Sequence, residues 1–351
     1  MIAAKNVGPV RGGTGPTFFL SPGYGLLGVS FTVIVTDGCH AQYAAAAISS
    51  PWLTVSFAMS VCMMPVGAIL RPFLRPDHYN AACVAVMNRL GGMMSAERRP
   101  VLISVMQYED DLDRGALAIG DVIATATRFG VAGIEIRPQY WRDRARELPA
   151  ARDLIARHGL LVTYATTTTL FGADPEDAAR LRQDIADAQL LGATQLRVFQ
   201  GPAPADDDEA GWAGGRALAD HAATRGITLA LENYSGSPGG TIAEMSRTLE
   251  RLPTLAVNLD IANYARHGED VLTAIVRFGD RAISAHVKDQ GATAPWTSAP
   301  LGGGELHLAR IFPALDALPQ RLIYCFEFRG EGDPDGRIVQ SIAYLRERAW
   351  Q

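Results

Sequence analysis

The stretch ISAHVKD, residues 283–289, decides the reading of the fold. Its first half is a short apolar run suited to a strand buried on both faces. Its second half sets His286, Lys288 and Asp289 at the carboxyl end of that strand. A strand that serves only as core has no use for groups that ligate metals, carry charge or move protons, so this one must end at an opening.

Seven further runs of the same kind surround it: VLISVMQ at 101, GIEIRP at 133, LVTYAT at 161, TQLRVFQG at 194, ITLALEN at 227, LAVNLDIAN at 255 and LIYCFEF at 322. Between them lie segments such as DRGALAIGDVIATATRFG, ARDLIARHG, PEDAARLRQDIADAQLLG and TIAEMSRTLERL, with apolar residues three and four apart as in amphipathic helices. Gly130, Gly159, Gly192 and Gly226 stand just before the next strand, where a left-handed helix cap belongs. Strand then helix, repeated eight times, predicts an α/β protein of the (β/α)8 TIM-barrel class. The first strand lacks the GxGxxG or GxxxxGK[ST] continuation of a nucleotide-binding open sheet. The glycine-rich PLGGGEL at 300 follows the seventh strand and reads as a mobile substrate loop.

Composition agrees with a soluble globular protein: 351 residues, 48% hydrophobic and 20% charged, with a formal net charge of −5. That charge offers no basic field for a phosphate backbone, so no nucleic-acid partner is expected. The distribution breaks near Met93. Before it stand two acids, Asp37 and Asp77, and five bases, Lys5, Arg11, Arg71, Arg75 and Arg89; the rest of the 37 acids and 32 bases lie beyond. From Gly38 to Leu70 there is no charged side chain, but Pro51 and Pro65 interrupt the run and it lies far from Met1, against a signal peptide or a membrane partner. Residues 1–95 are read as an atypical extension, poorly ordered or upstream of a true start at Met93 or Met94, and 96–351 as the catalytic barrel. The four cysteines form no CxxC pair or disulfide framework, which suits a reducing, cytoplasmic location.

In such barrels the active site lies where the strands end. The last four strands each end in one chemically able group: Glu232 in LALEN, Asp260 in VNLD, His286 in SAHVKD and Glu327 in YCFEF. Two residues earlier, on the same face, stand Ala230, Asn258, Ser284 and Cys325, small or modest in size. Three carboxylates and an imidazole crowded together would repel and be desolvated, and one divalent cation removes both problems. The donor set favours Mn²⁺, Mg²⁺ or Co²⁺ over a structural zinc.

LENY, NLDIAN, HVKD and FEF, with LGATQLRVFQG before them and PLGGGEL after HVKD, resemble the sugar phosphate isomerase/epimerase family, the xylose isomerase-like metal-dependent barrels. The resemblance covers roughly 100–350. It implies that Glu232, Asp260, His286 and Glu327 hold one metal ion and that Glu232 and Glu327 double as catalytic acid and base on a small sugar or sugar-like substrate. In the related ketose epimerases a substrate-binding histidine stands at the position of Asn263, so sugar contacts here differ in detail.

A metal-polarised ketose loses a carbon-bound proton to one glutamate, and the second returns a proton. Return to the opposite face gives an epimer and to the neighbouring carbon an isomer; loss of a β-hydroxyl, as from an inosose, makes the protein a dehydratase. Lys288, Glu135, Arg197 and Asn263 are candidate substrate contacts, Lys288 alternatively pairing with Glu135 or another carboxylate. Arg137 shares the face of Glu135, and Arg329 could meet a phosphate or carboxylate. The threonines 166–169, Trp141 and Trp296 either line the bowl or pack in loops, and Asp289 braces a loop. A trinuclear apurinic endonuclease would need several strand-end histidines, and only His286 qualifies. A non-catalytic sugar-binding barrel would leave the four ligands incidental. A homo-oligomer is allowed by the sequence.

Overall fold

Eight apolar runs rich in Val, Ile and Leu become eight parallel strands: β1 Val101–Ser104, β2 Gly133–Ile136, β3 Leu161–Thr169, β4 Gln195–Phe199, β5 Thr228–Glu232, β6 Ala256–Asp260, β7 Ala282–Val287 and β8 Ile323–Phe326. Each pairs with the next, and β8 pairs back to β1 through Tyr324↔Val101, Cys325↔Leu102 and Phe326↔Ile103, closing the barrel. Closure leaves no edge strand to satisfy. The computed structural model describes residues 99–348 except 173 and 175, and before them only the backbone of the strands Thr17–Gly25, Gly28–Asp37, His40–Ala41, Ala46–Ser49 and Thr54–Phe57. The chain divides into two compact units, Met1–Glu97 and Arg98–Gln351. Beyond those strands, the readings of 1–95 as a disordered extension, an upstream segment or a tether lie outside the described residues. Among the described residues no helix is long and apolar enough to cross a membrane.

After each strand comes a helix: α1 Ile119–Phe129, α2 Arg144–His158, α3 Asp177–Leu191, α4 Glu209–Ala223, α5 Ile242–Arg251, α6 Val271–Phe278, α7 Leu308–Asp316 and α8 Pro334–Arg348. Gly130, Gly159 and Gly192 cap α1, α2 and α3 with φ of 65°, 63° and 84°, the left-handed region a β-carbon disfavours. Gly226 has the same sign of φ but lies in the turn beyond α4, which stops at Ala223. The α5 amino end is closed by a reciprocal Thr241–Glu244 capping box. Helix α3 presents Leu181, Ile185, Ala188 and Leu191 to the sheet. Each such leucine or isoleucine contributes about 1.5–3 kcal/mol over exposure.

Two acids on that helix, Asp184 and Asp187, are buried as well. The buried Asp184 carboxylate accepts from the Thr166 hydroxyl (2.7 Å) and the Thr168 hydroxyl (3.3 Å) at the end of β3. Burial raises it to about 6, against the two threonine hydrogen bonds. A carboxyl that keeps its proton longer in the folded than in the unfolded state stabilises fully below the unfolded value, and that contribution is lost as pH rises through about 6. Asp184→Asn therefore gains about 3 kcal/mol at pH 8 and little at pH 4. Denaturant midpoints at the two pH values test this; equal shifts at both would contradict it.

Candidate active site

Alternation along the strands places the chemistry. Glu232, Asp260 and His286 lie at the carboxyl ends of β5, β6 and β7, and Glu327 follows the last residue of β8. All four are buried, as are Ala230, Asn258, Ser284 and Cys325 beneath them. Register brings Asp260 opposite His286 and Glu232 opposite Asn258. A small-residue floor leaves room above it for the long acids to turn inward.

The four groups converge on one atom. His286 Nδ1 lies 3.1 Å from Glu232 Oε2, 3.8 Å from Glu327 Oε1 and 4.0 Å from Asp260 Oδ2. It is buried and makes no hydrogen bond. The other ring nitrogen, Nε2, donates to Glu135 Oε2 at 2.8 Å. An ionised carboxylate only accepts, so Glu135 fixes the proton on Nε2 and turns Nδ1 toward the three acids. Burial would lower the imidazole, but Glu135, Glu232 and Glu327 hold it up at about 10.

These residues fit a divalent ion. Ligands about 2.1 Å from one hard cation sit about 3.0 Å apart when adjacent and about 4.2 Å when opposite. The separations around Nδ1 fall in that interval, and ligand atoms of Glu232, His286 and Glu327 all lie within 4.8 Å of one another; Asp260, 4.0 Å from Nδ1 and held by Lys288, falls outside that group. A second group, Glu135, His286 and Cys325, is equally close, but burial pushes the Cys325 thiol well above its ordinary value and the softer ligand stays protonated. Among the described residues both groups contain His286 and no other histidine, far from the several a trinuclear site needs.

Three buried cations share the acids. Lys288 Nζ donates to Asp260 Oδ2 (2.6 Å) and to Glu327 Oε2, so it pairs with these two and not with Glu135. Arg137 donates to Glu327 Oε1 and, at 3.3 Å, to Glu135 Oε1. Arg197 sets its Nε 2.9 Å from Glu232 Oε2, while its Nη1 donates to the Thr166 carbonyl at 2.6 Å. Burial would raise Glu327, yet Lys288, Arg137 and His286 hold it well below the usual range. Burial likewise opposes Glu232, which Arg197 and His286 lower, and Glu135, which His286 and Arg137 bring down to about 2. Asp260 goes the other way: burial raises it, Lys288 opposes, and the charges of Glu232 and Glu327 add to the rise. So many perturbed carboxyls at the carboxyl ends of adjacent strands point to a site built for chemistry.

Asparagines hold the frame. Asn233 donates to the Asp260 carbonyl and accepts from its amide, both at 2.9 Å, locking the end of β5 to that of β6. Ser284 donates to Asn258 Oδ1 (2.7 Å), and Asn258 donates to Glu232 Oε2 (3.3 Å). Asn263 Nδ2 reaches Glu232 Oε1 at 3.4 Å. Of the substrate-contact candidates, Lys288, Arg197, Glu135 and Asn263 all lie in this cluster. Sequence reasoning had not paired Arg137 with Glu327 or seen the bracing by Asn233; period-two alternation in GIEIRP and the paired asparagines of LEN and NLD are the signals that carry them.

Other candidates sit elsewhere. The Thr166 and Thr168 hydroxyls turn outward to Asp184, and Trp141 Nε1 donates to Tyr164 (3.1 Å), which is loop packing. Trp296 is half-buried, and Arg329 pairs with Glu109 at 3.1 Å. Asp289 accepts from the Gln290 and Leu306 amides, each at 2.9 Å, so it does brace the loop. The segment 300–306, expected to be mobile, is fastened further by Glu305 N to Gln290 O at 2.9 Å and Leu301 N to Ser341 Oγ at 3.1 Å.

Solved structures similar to this chain include the probable 3-DHS dehydratase AsbF involved in petrobactin synthesis from Bacillus anthracis, with 14% identity, coverage of 70% of this chain and 98% of that one, and a TM-score of 0.58. The D-allulose 3-epimerase from Methylomonas sp. in complex with D-allulose is 19% identical over 72% of this chain and 97% of that one, with a TM-score of 0.54. A protein from Sinorhizobium meliloti 1021, SMc04130, is 18% identical over 71% and 98%, with a TM-score of 0.59. At these identities the likeness is one of fold. No curated protein matches the chain. Residues 123–348, more than half of the sequence, match the family model described as xylose isomerase-like TIM barrel, and the chain belongs to that family.

Proposed function

We propose that this barrel is a divalent-metal-dependent isomerase or epimerase that moves a carbon-bound proton on a ketose or related sugar, with Glu232 and Glu327 as base and acid. The observation that carries the reading is the buried, unbonded His286 Nδ1 facing three carboxylate oxygens. Glu232, Asp260, His286 and Glu327 would hold the ion, taken as Mn²⁺, Mg²⁺ or Co²⁺. When bound it supplies Lewis-acid polarisation of the substrate carbonyl and so acidifies the adjacent C–H.

The chain's own groups divide the remaining work. Glu232 Oε1 is committed only to Asn263 at 3.4 Å, whereas both oxygens of Glu327 are held by cations. Glu232 is therefore the freer base, and Lys288 and Arg137, which flank Glu327, support the negative charge that develops on the substrate. Glu232 is held below its ordinary value and so is ionised at neutral pH, as proton abstraction requires; Glu327 is held ionised too and must take up a proton before it can return one.

Metal analysis and solvent exchange test the reading together. Purified protein is expected to bind one Mn²⁺ per chain and, with neutral ketoses, inososes or keto acids in D₂O, to place deuterium on the carbon next to the carbonyl. Chelation should abolish exchange and re-addition restore it. A protein that binds no divalent ion would be a sugar-binding barrel.

A further inference from the structure

Each of the three buried cations has a donor left over: Arg197 at Nε, which faces Glu232 without a hydrogen bond, and, around Glu327, Lys288 and Arg137. The Lys288 ammonium has three N–H groups, and Asp260 and Glu327 take two of them. Arg137 spends Nε and Nη2 on Glu135 and Glu327, but among the described residues its Nη1 meets only the Met106 thioether sulfur at 3.2 Å, a weak acceptor. A buried charged donor without a strong acceptor is costly and calls for a partner. Both side chains grip the same carboxylate from opposite oxygens, Arg137 on Glu327 Oε1 and Lys288 on Oε2. Arg137 and Glu327, 6% exposed, and Lys288, 5%, are also the least buried of the cluster, against 0% for Asp260 and 1% for His286.

Charge points the same way. The fixed groups are four acids, Glu135, Glu232, Asp260 and Glu327, against three bases, Arg137, Arg197 and Lys288. A divalent ion on a neutral His286 turns that deficit into one positive charge in excess. A neutral hydroxyl could accept the spare hydrogen bonds but would leave the excess, and an anion answers both.

We propose that Arg137 and Lys288 together receive a carboxylate of the substrate, so that the barrel acts on a hydroxylated keto acid in preference to a neutral ketose. This rests on the sugar-type substrate proposed above and narrows it. The planar guanidinium edge and the ammonium, bracketing Glu327, present two charged donors to the two oxygens of one carboxylate.

Calorimetric titration of the full chain with hydroxypyruvate and dihydroxyacetone tests it, since the two differ by a carboxylate in place of a hydroxymethyl group. In Mn²⁺-loaded protein, hydroxypyruvate should bind at least tenfold more tightly. Without metal the cluster carries no positive excess and the preference should shrink; because a keto acid also chelates metal, the variants in the Mn²⁺-loaded protein decide. Lys288→Met and Arg137→Met should each narrow the ratio of the two affinities to under about threefold, while Lys288→Arg keeps it. Equal affinities in the Mn²⁺-loaded wild type, or a ratio that survives both methionine variants, would overturn the proposal; the wild-type arm decides even where a variant fails to fold. Failure of the enzymatic reading leaves another trace, absence of deuterium exchange with ketoses and keto acids alike. Exchange with neutral ketoses alongside equal affinities would sink only the acidic substrate.

Discussion

Glu232→Gln and Glu327→Gln are each expected to reduce solvent-deuterium exchange by at least about 100-fold, the scale of losing a positioned general base or acid. Glutamine keeps the shape and an oxygen donor but can neither take nor return a proton at neutral pH. The two variants should differ in stability. Glu327 is the common partner of Lys288 and Arg137, so its loss leaves two buried cations undercompensated and costs several kcal/mol, whereas Glu232 loses only its pairing with Arg197 and His286. Circular dichroism and bound-metal analysis must accompany the exchange measurement. Full exchange in either variant would contradict the two-glutamate mechanism.

Glu135→Gln should lower Mn²⁺ affinity by about 10- to 100-fold without touching any of the four ligands, the usual cost of losing a carboxylate behind a ligating histidine. Glu135 holds Nε2 of His286 at 2.8 Å and is itself held by Ser104 Oγ at 3.0 Å and by Arg137. An amide at this position still accepts the Nε2 proton but no longer makes the imidazole more basic, and it frees a guanidinium. The affinity is read by calorimetry on folded protein. An unchanged value would mean that Glu135 serves the substrate side of the bowl, the role first expected of it from sequence.

Most of the barrel was legible in the chain. Six of the eight strands lie within the runs picked out by apolar patterning, while β7 starts one residue earlier at Ala282 and β3 runs on through the threonines to Thr169. Three of the four expected glycines cap helices with positive φ. Glu232, Asp260, His286 and Glu327 could be named because strand order and period-two alternation turn sequence position into a place on a rim. Patterning says nothing about depth across the barrel. That Glu135 meets His286 151 positions away, and Arg137 meets Glu327 190 positions away, follows from closure of β8 onto β1 and β2 and has no local signal.

What the sequence by itself determined was the kind of chain and the kind of chemistry: alternating elements that must close, and three acids and an imidazole on consecutive strand ends. The tertiary structure alone decided who serves whom. Partner choice among seven buried charges and one imidazole depends on distances of a few ångströms in a medium where Coulomb energies are large, and such distances are set by barrel closure and side-chain packing rather than by local residue order.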